Sequence, residues 1–118
     1  MDENPMMDEK VKLNPDHLKI LEGQVNEVIR TIFDPEIPVN ILELGLIYEV
    51  QALPLGQVYI LMTLTSPNCP AAQSLPTEVK EKVKLLPGVK DVELDITFDP
   101  PWTMEMMSEE AQLELGFM

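Results

Sequence analysis

The sequence predicts an α/β fold of the two-layer α+β kind, in which two helices cover one face of a three-stranded mixed sheet. Two segments carry apolar residues at helical spacing, and three segments alternate apolar with polar residues. Their order along the chain is helix, strand, strand, helix, strand. Because a helix connects the last two strands, we expect those strands to run parallel. An extended C-terminal segment and a short helix follow the third strand.

The first helix has clear boundaries in the sequence. Asn14 is a suitable N-cap, and Pro15 suits the first helical position. Pro35 disfavours a helical conformation in the residue before it, so we expect the helix to end near Phe33-Asp34-Pro35. Residues 1–13 lack periodicity and are predicted to form a flexible acidic arm. The remaining residues, 14–118, are predicted to form one domain. Between these limits the apolar stripe consists of Leu18, Leu21, Val25, Val28, Ile29 and Ile32.

Two alternating segments predict a β-hairpin closed by the turn at residues 54–57. A second helix is predicted to start after Cys69, with its regular part delayed or kinked by Pro76. Ser108 is a suitable N-cap for the final short helix, and Gly116 a suitable stop. The alternating apolar residues of the three strands are Leu46, Tyr48, Val50 and Ala52, then Val58, Ile60, Met62 and Leu64, then Val92, Leu94, Ile96 and Phe98.

Charge and composition exclude several function classes. The 118 residues carry a formal charge of −13, which disfavours nucleic acid and anionic membranes as partners and leaves metal cations or basic protein surfaces. A single cysteine precludes an internal disulfide framework. No apolar run approaches the ~20 residues of a membrane helix, and the N-terminus lacks a signal-peptide pattern. We therefore expect a cytoplasmic protein.

Cys69 is the candidate functional residue. It lies where a strand pattern stops and a helix pattern begins, and Pro70 suits the first position of that helix. A thiol at a helix N-terminus tends to have a lowered pKa, because the helix dipole stabilises the thiolate. Thiolate is the form that attacks electrophiles and binds metals.

The acidic segment after the first helix bears on whether Cys69 acts as a nucleophile or as a metal ligand. In an isolated turn, Asp34 and Glu36 would be solvated turn residues. If this turn lies beside the start of the second helix, Cys69 shares a pocket with carboxylates and hydroxyls. Nearby carboxylates raise the thiol pKa, and His17 is too distant in sequence to activate the thiol. Metal handling is then favoured over a thiol enzyme. The candidate pocket residues are Asp34, Glu36, Glu43, Thr65, Ser66 and Cys69.

Stoichiometry limits what one thiol can hold. A stable iron–sulfur cluster needs about four thiolate or histidine ligands. One cysteine per chain cannot supply them, even in a homodimer, which the sequence leaves open. We therefore expect no stably bound cofactor in the isolated chain, and at most a transient iron–sulfur cluster or iron.

Three segments together resemble the SufT/PaaD-type family of small iron–sulfur cluster assembly factors. They are Asp34–Tyr48 (DPEIPVNILELGLIY), Met62–Pro70 (MTLTSPNCP) and the stretch from Phe98-Asp-Pro-Pro-Trp-Thr103 to Met107-Ser108. The resemblance spans about residues 17 to 117 and implies the same α/β fold.

The resemblance also implies an accessory role for this protein, without catalytic turnover. It implies cluster assembly or delivery to client apoproteins, with scaffold proteins as further partners. It matches the family cysteine to Cys69, with Asp34 and Glu36 as metal-site acids and Thr65 and Ser66 as pocket hydroxyls. Glu43 matches less well, because the family often carries Asp at its position.

Two other functions stay open at this stage. The chain could be a non-catalytic adaptor for assembly of a multi-component oxygenase of the phenylacetate-degradation type, with Cys69 incidental. In that case the free sheet edge, Trp102, Glu43 and the Met-rich segment around Met104 would contact partners. A small thiol enzyme is the third hypothesis, and it requires rapid alkylation of Cys69 near neutral pH.

Overall fold

The computed structural model describes residues 14–35, 37–65 and 74–116. The sheet has the order β1-β2-β3, with β1 antiparallel to β2 and β2 parallel to β3, which confirms the predicted topology. A 3-10 turn, Met104–Met106, precedes the last helix. In chain order the other elements are α1 (Pro15–Ile29), α2 (Ile41–Leu44), β1 (Ile47–Ala52), β2 (Gln57–Met62), α3 (Ser74–Lys84), β3 (Asp91–Ile96) and α4 (Glu109–Glu114).

The core lies between the sheet and the layer of α1 and α3, which contact each other and the sheet. Alternate residues of β2 face this layer and are completely buried, as expected for the central strand of a sheet covered on one face. The apolar stripes of both helices cover them, because residues spaced three and four apart share one side of a helix. The buried side chains at the centre include Val25, Ile29, Val58, Ile60, Met62, Val79 and Val83.

The first helix begins as predicted and ends earlier than predicted. The side chain of Asn14 accepts a hydrogen bond from the backbone N–H of His17, at 2.9 Å. At the other end, the N–H groups of Thr31 and Ile32 donate to carbonyls three residues back, which tightens and closes the last turn. Phe33 then pairs with Asn40 in an isolated antiparallel bridge. The prediction that α1 continues to Phe33 is therefore wrong by about one turn.

Helix α2 was not predicted, because four residues are too few to show a period. Asn40 caps it, accepting a hydrogen bond from the N–H of Glu43 at 2.9 Å. Gly45 ends it with a φ of 89°, a left-handed conformation that glycine adopts without steric cost. This turn of helix places Ile41 and Leu44 in the core.

A β-bulge interrupts the first strand. Ile47 pairs with Met62 while Glu49 pairs with Leu61, so β1 carries one extra residue, Tyr48, at this point. The hydroxyl of Tyr48 reaches the C-terminal segment and donates to the carbonyl of Pro100 at 2.7 Å.

Hydrogen bonds connect the C-terminal segment, residues 99–116, to α2 as well as to the bulge. The indole N–H of Trp102 donates to the carbonyl of Leu44 at 2.8 Å, and the N–H of Ser108 donates to the carbonyl of Glu43 at 2.8 Å. Ser108 also caps α4 as predicted, accepting from the N–H of Ala111 at 3.1 Å.

Two sequence predictions fall on residues that the structure does not describe. They are the acidic arm, residues 1–13, and the start of the second helix at Cys69-Pro70. Within the described part of that helix, Pro76 lies in the first turn of α3, where its missing N–H costs nothing. No helix among the described ranges has the length and apolar character needed to span a bilayer.

Candidate functional site

The candidate site begins where β2 ends. After Met62, the chain continues through Thr63, which is fully buried, and Leu64 to Thr65, which is half-buried. The N–H of Thr97 donates to the carbonyl of Met62 at 2.9 Å, which continues the pairing of β2 with the neighbouring parallel chain beyond the ends of the two strands. Thr65 therefore lies at the carboxyl end of a parallel strand pair, a common location for functional sites in α/β sheets.

A series of backbone hydrogen bonds connects this strand end to the acidic segment. Thr63 N–H donates to the carbonyl of Leu46 at 2.8 Å, Leu46 N–H to Ile41 at 3.1 Å, and Ile41 N–H to Ile32 at 2.9 Å. Asp34 lies two residues after Ile32, and Thr65 lies two residues after Thr63. The two predicted site segments are therefore connected through hydrogen-bonded backbone of buried residues. The start of the second helix, beside which the sequence analysis placed the acidic segment, lies outside the described residues, so the shared pocket stays a prediction.

Asp34 is only 4% exposed, which is low for a carboxylate. Its Oδ1 accepts a hydrogen bond from the backbone N–H of Ile37 at 3.1 Å, which closes the turn after α1. The N–H of Asp34 approaches the carbonyl of Val39 at 3.4 Å, alongside the Phe33–Asn40 bridge. Asp34 thus holds the acidic segment in shape, and its metal-binding role stays a prediction.

Cys69, Ser66 and Glu36 lie outside the described residues. Within residues 14–35, 37–65 and 74–116, no group of three or more His, Cys, Asp or Glu side chains is arranged to hold a metal ion. The ligand set of Cys69, Asp34 and Glu36 therefore stays a prediction.

Glu43 is held by two partners from distant parts of the chain. Its carboxylate forms an ion pair and hydrogen bond with Arg30 at the end of α1, and its side chain is 15% exposed. The hydrogen bond with Ser108, and then the hydrogen bond and positive charge of Arg30, lower the pKa of Glu43, although burial opposes them. Glu43 therefore links α1, α2 and the C-terminal segment, and its role in binding partners stays a prediction.

This link predicts a pH dependence of stability. Because the pKa of Glu43 is lower in the folded than in the unfolded chain, its contribution is complete above its ordinary pKa of 4.5 and is lost as pH falls through the folded value. Glu43→Gln is expected to lower the free energy of unfolding by about 1 kcal/mol at pH 7. Urea unfolding of both proteins should show this difference shrinking in acid. Glu105→Gln, at an exposed position, is the control. A difference that is independent of pH would contradict the assignment.

Trp102, the other predicted partner-binding residue, is half-buried and packs against the core. Its indole N–H donates to the carbonyl of Leu44 within the chain. These contacts lie within the chain and do not test binding to another protein, so the partner-binding role of Trp102 stays a prediction.

The sequence analysis did not identify three side chains that form hydrogen bonds or ion pairs near the candidate site: Arg30, Tyr48 and Ser108. Arg30 is the only arginine in the chain, which could have identified it as a specific ion-pair donor. Tyr48 and Ser108 carried no such indication, because their partners lie 52 and 65 residues away along the chain.

The fold and the geometry of its strand end define a small α+β domain with a polar segment at the end of a parallel strand pair. Residues 22–96 match the family described as iron–sulfur cluster assembly protein. The chain therefore belongs to the iron–sulfur cluster assembly protein family, and its function lies in the assembly of iron–sulfur clusters. The resemblance to the SufT/PaaD-type family is thereby confirmed.

Relatives and a solved structure agree with this membership. The chain is 53% identical over 97 residues to an Fe–S protein maturation auxiliary factor of Porphyromonas gingivalis, covering 82% of this chain and 92% of the relative. It is 42% identical over 96 residues to such a factor of Bacillus subtilis, covering 81% and 94%. The crystal structure of a domain of unknown function from Bacillus anthracis superposes with a TM-score of 0.83 at 33% identity, covering 89% and 100%.

Proposed function

We propose that this protein is an accessory factor that delivers iron–sulfur clusters, or iron for them, to client apoproteins, with Cys69 as a transient ligand. The observation that supports it best is the backbone connection between Asp34 and Thr65. It joins the acidic segment to the strand end from which Cys69 follows by four residues in sequence. Thr65 and Ser66 would hydrogen-bond the cluster or its ligands, and Asp34 and Glu36 would be oxygen ligands.

The cluster is cargo in this proposal and leaves the protein. One thiol per chain falls short of the about four ligands that a stable cluster needs, so the remaining ligands come from a scaffold or a client. A single thiolate makes transfer fast, because few bonds to this protein must break. The protein itself turns over no substrate, in keeping with the two relatives, whose names describe auxiliary factors.

A second candidate, an adaptor with Cys69 incidental, is favoured by the apolar side chains exposed around the end of β3 and the C-terminal segment. Phe98 is 41% exposed and Met104 is 56% exposed. Exposed apolar side chains are typical of protein contact sites when they form a continuous patch.

Anaerobic reconstitution with iron and sulfide separates the two candidates. The delivery factor should give cluster absorbance and bound iron only together with a cysteine-bearing scaffold, beyond what the scaffold binds alone. Cys69→Ala should remove that excess. If the excess is absent, or is equal in Cys69→Ala, the thiol is not a ligand and the adaptor is favoured.

A further inference from the structure

The face of the sheet opposite the helices carries a distinct pattern. The register places residues in rows across three strands, and members of a row project from the same face. In one row Leu61 lies between Glu49 and Asp95, and in the next Tyr59 lies between Gln51 and Glu93. Leu61 and Tyr59 are half-buried and their four neighbours are exposed. The centre of this outer face is therefore apolar or aromatic, and its margins are largely acidic.

An open pocket of about 580 Å³ continues this face toward the C-terminal segment. Leu61 belongs to both, because it lines the pocket from the outer row. The bulge in β1 shapes one wall, since it directs Tyr48 to the carbonyl of Pro100. The pocket is mainly apolar, with one carboxylate, and its lining residues are Gly45, Ile47, Tyr48, Leu61, Asp99, Pro100 and Met106.

The charged side chains in these two rows are all acidic. Asp91, Glu93 and Asp95 alternate along β3 and so project to the same side. None of the described residues in these rows or in the pocket lining is a lysine or an arginine. The described basic residues are instead on α1, at its end, on α3 and just before β3: Lys19, Arg30, Lys80, Lys82, Lys84 and Lys90.

This clustering of acidic side chains on one sheet face has a cost for the stability of the free protein. Like charges on neighbouring positions of a sheet repel and lower stability, and lysines alternating with acids would remove that cost. Desolvation and then the negative charge of Asp95, whose Oδ2 lies 3.3 Å from the Tyr59 hydroxyl, raise the pKa of Tyr59. The face thus has a negative potential around an apolar centre.

We propose that this outer sheet face binds a positively charged segment of a partner protein, with one bulky apolar side chain entering the pocket beside Leu61. Charge complementarity selects this occupant. A second copy of the chain would bring a further −13 and be repelled, and a nucleic acid would be repelled likewise. The residues that define this surface do not include Cys69, which lies outside the described residues.

The test uses a fluorescent synthetic peptide, Gly-Lys-Lys-Leu-Lys-Lys-Gly, and fluorescence anisotropy. The double variant Glu93→Lys with Asp95→Lys should weaken its binding about tenfold or more, since each substitution replaces an attraction by a repulsion. The control, Glu81→Lys with Glu114→Lys, makes the same change in net charge on exposed positions of α3 and α4. It should weaken binding less than about threefold. Replacing the peptide leucine by glycine should weaken binding to the wild type.

Three results would overturn the proposal. They are no binding of the peptide by the wild type at millimolar concentration, equal weakening by the two double variants, and equal affinity for the leucine and glycine peptides. Thermal unfolding of both variants excludes loss of the fold as the cause of weakened binding. Cys69→Ala should bind the peptide like the wild type, which distinguishes this surface from the delivery site.

Discussion

Gly45→Ala is expected to lower the free energy of unfolding by about 3 kcal/mol or more. Two costs add at this position. The φ of 89° is left-handed, which costs a residue with a Cβ about 1–2 kcal/mol. A Cβ on Gly45 would also lie 2.4 Å from the carbonyl oxygen of Met106, a backbone atom that cannot move without displacing the C-terminal segment. Urea unfolding at constant m-value measures the sum.

Gly88→Ala is the matched control, because it separates the two costs. Gly88 has a φ of 93° and nothing within 4 Å of an added Cβ, so only the conformational cost of about 1–2 kcal/mol applies. Trp102, the only tryptophan, reports directly on the C-terminal segment through its fluorescence. We expect its emission to shift toward that of exposed indole in Gly45→Ala alone. Equal destabilisation by the two substitutions would contradict the contact between α2 and the segment.

Cys69→Ala is expected to abolish support of iron–sulfur enzymes in cells while leaving the fold intact. The reason is chemical, since Cys69 is the only thiol in the chain and no other side chain here replaces a thiolate toward iron. In a bacterial strain lacking its own family member, the wild type should restore the specific activity of an iron–sulfur enzyme and Cys69→Ala should not. Leu85→Ala, at a position that is 82% exposed just after α3, should restore it fully. Full restoration by Cys69→Ala would leave the adaptor as the better account.

Hydrophobic periodicity was sufficient to predict the strand order and the helix layer. The alternation of Val58, Ile60 and Met62 against the helical spacing of Leu21, Val25 and Ile29 determines which faces are buried. The caps at Asn14 and Ser108 were predictable for a similar reason, because a capping side chain bonds a backbone group three residues away.

What could not be predicted depends on contacts between distant residues. Helix α2 has too few residues for a period, and the bulge at Tyr48 depends on pairing with β2 and on the carbonyl of Pro100. The ion pair of Arg30 with Glu43 joins two elements whose approach is set by the whole core. These features form the surroundings of the candidate site. The site chemistry itself was predicted from Cys69, its neighbouring acids and hydroxyls, and the family resemblance.

The central claim is that Cys69 passes cluster or iron to a client. The most direct measurement is the rate at which an apo-enzyme of the [4Fe–4S] class regains activity from a cluster-loaded scaffold, anaerobically and without added thiols. We predict that the wild-type protein accelerates activation in proportion to its concentration, and that Cys69→Ala gives only the rate of the scaffold alone. Equal acceleration by Cys69→Ala, with its thermal unfolding unchanged, would contradict the account.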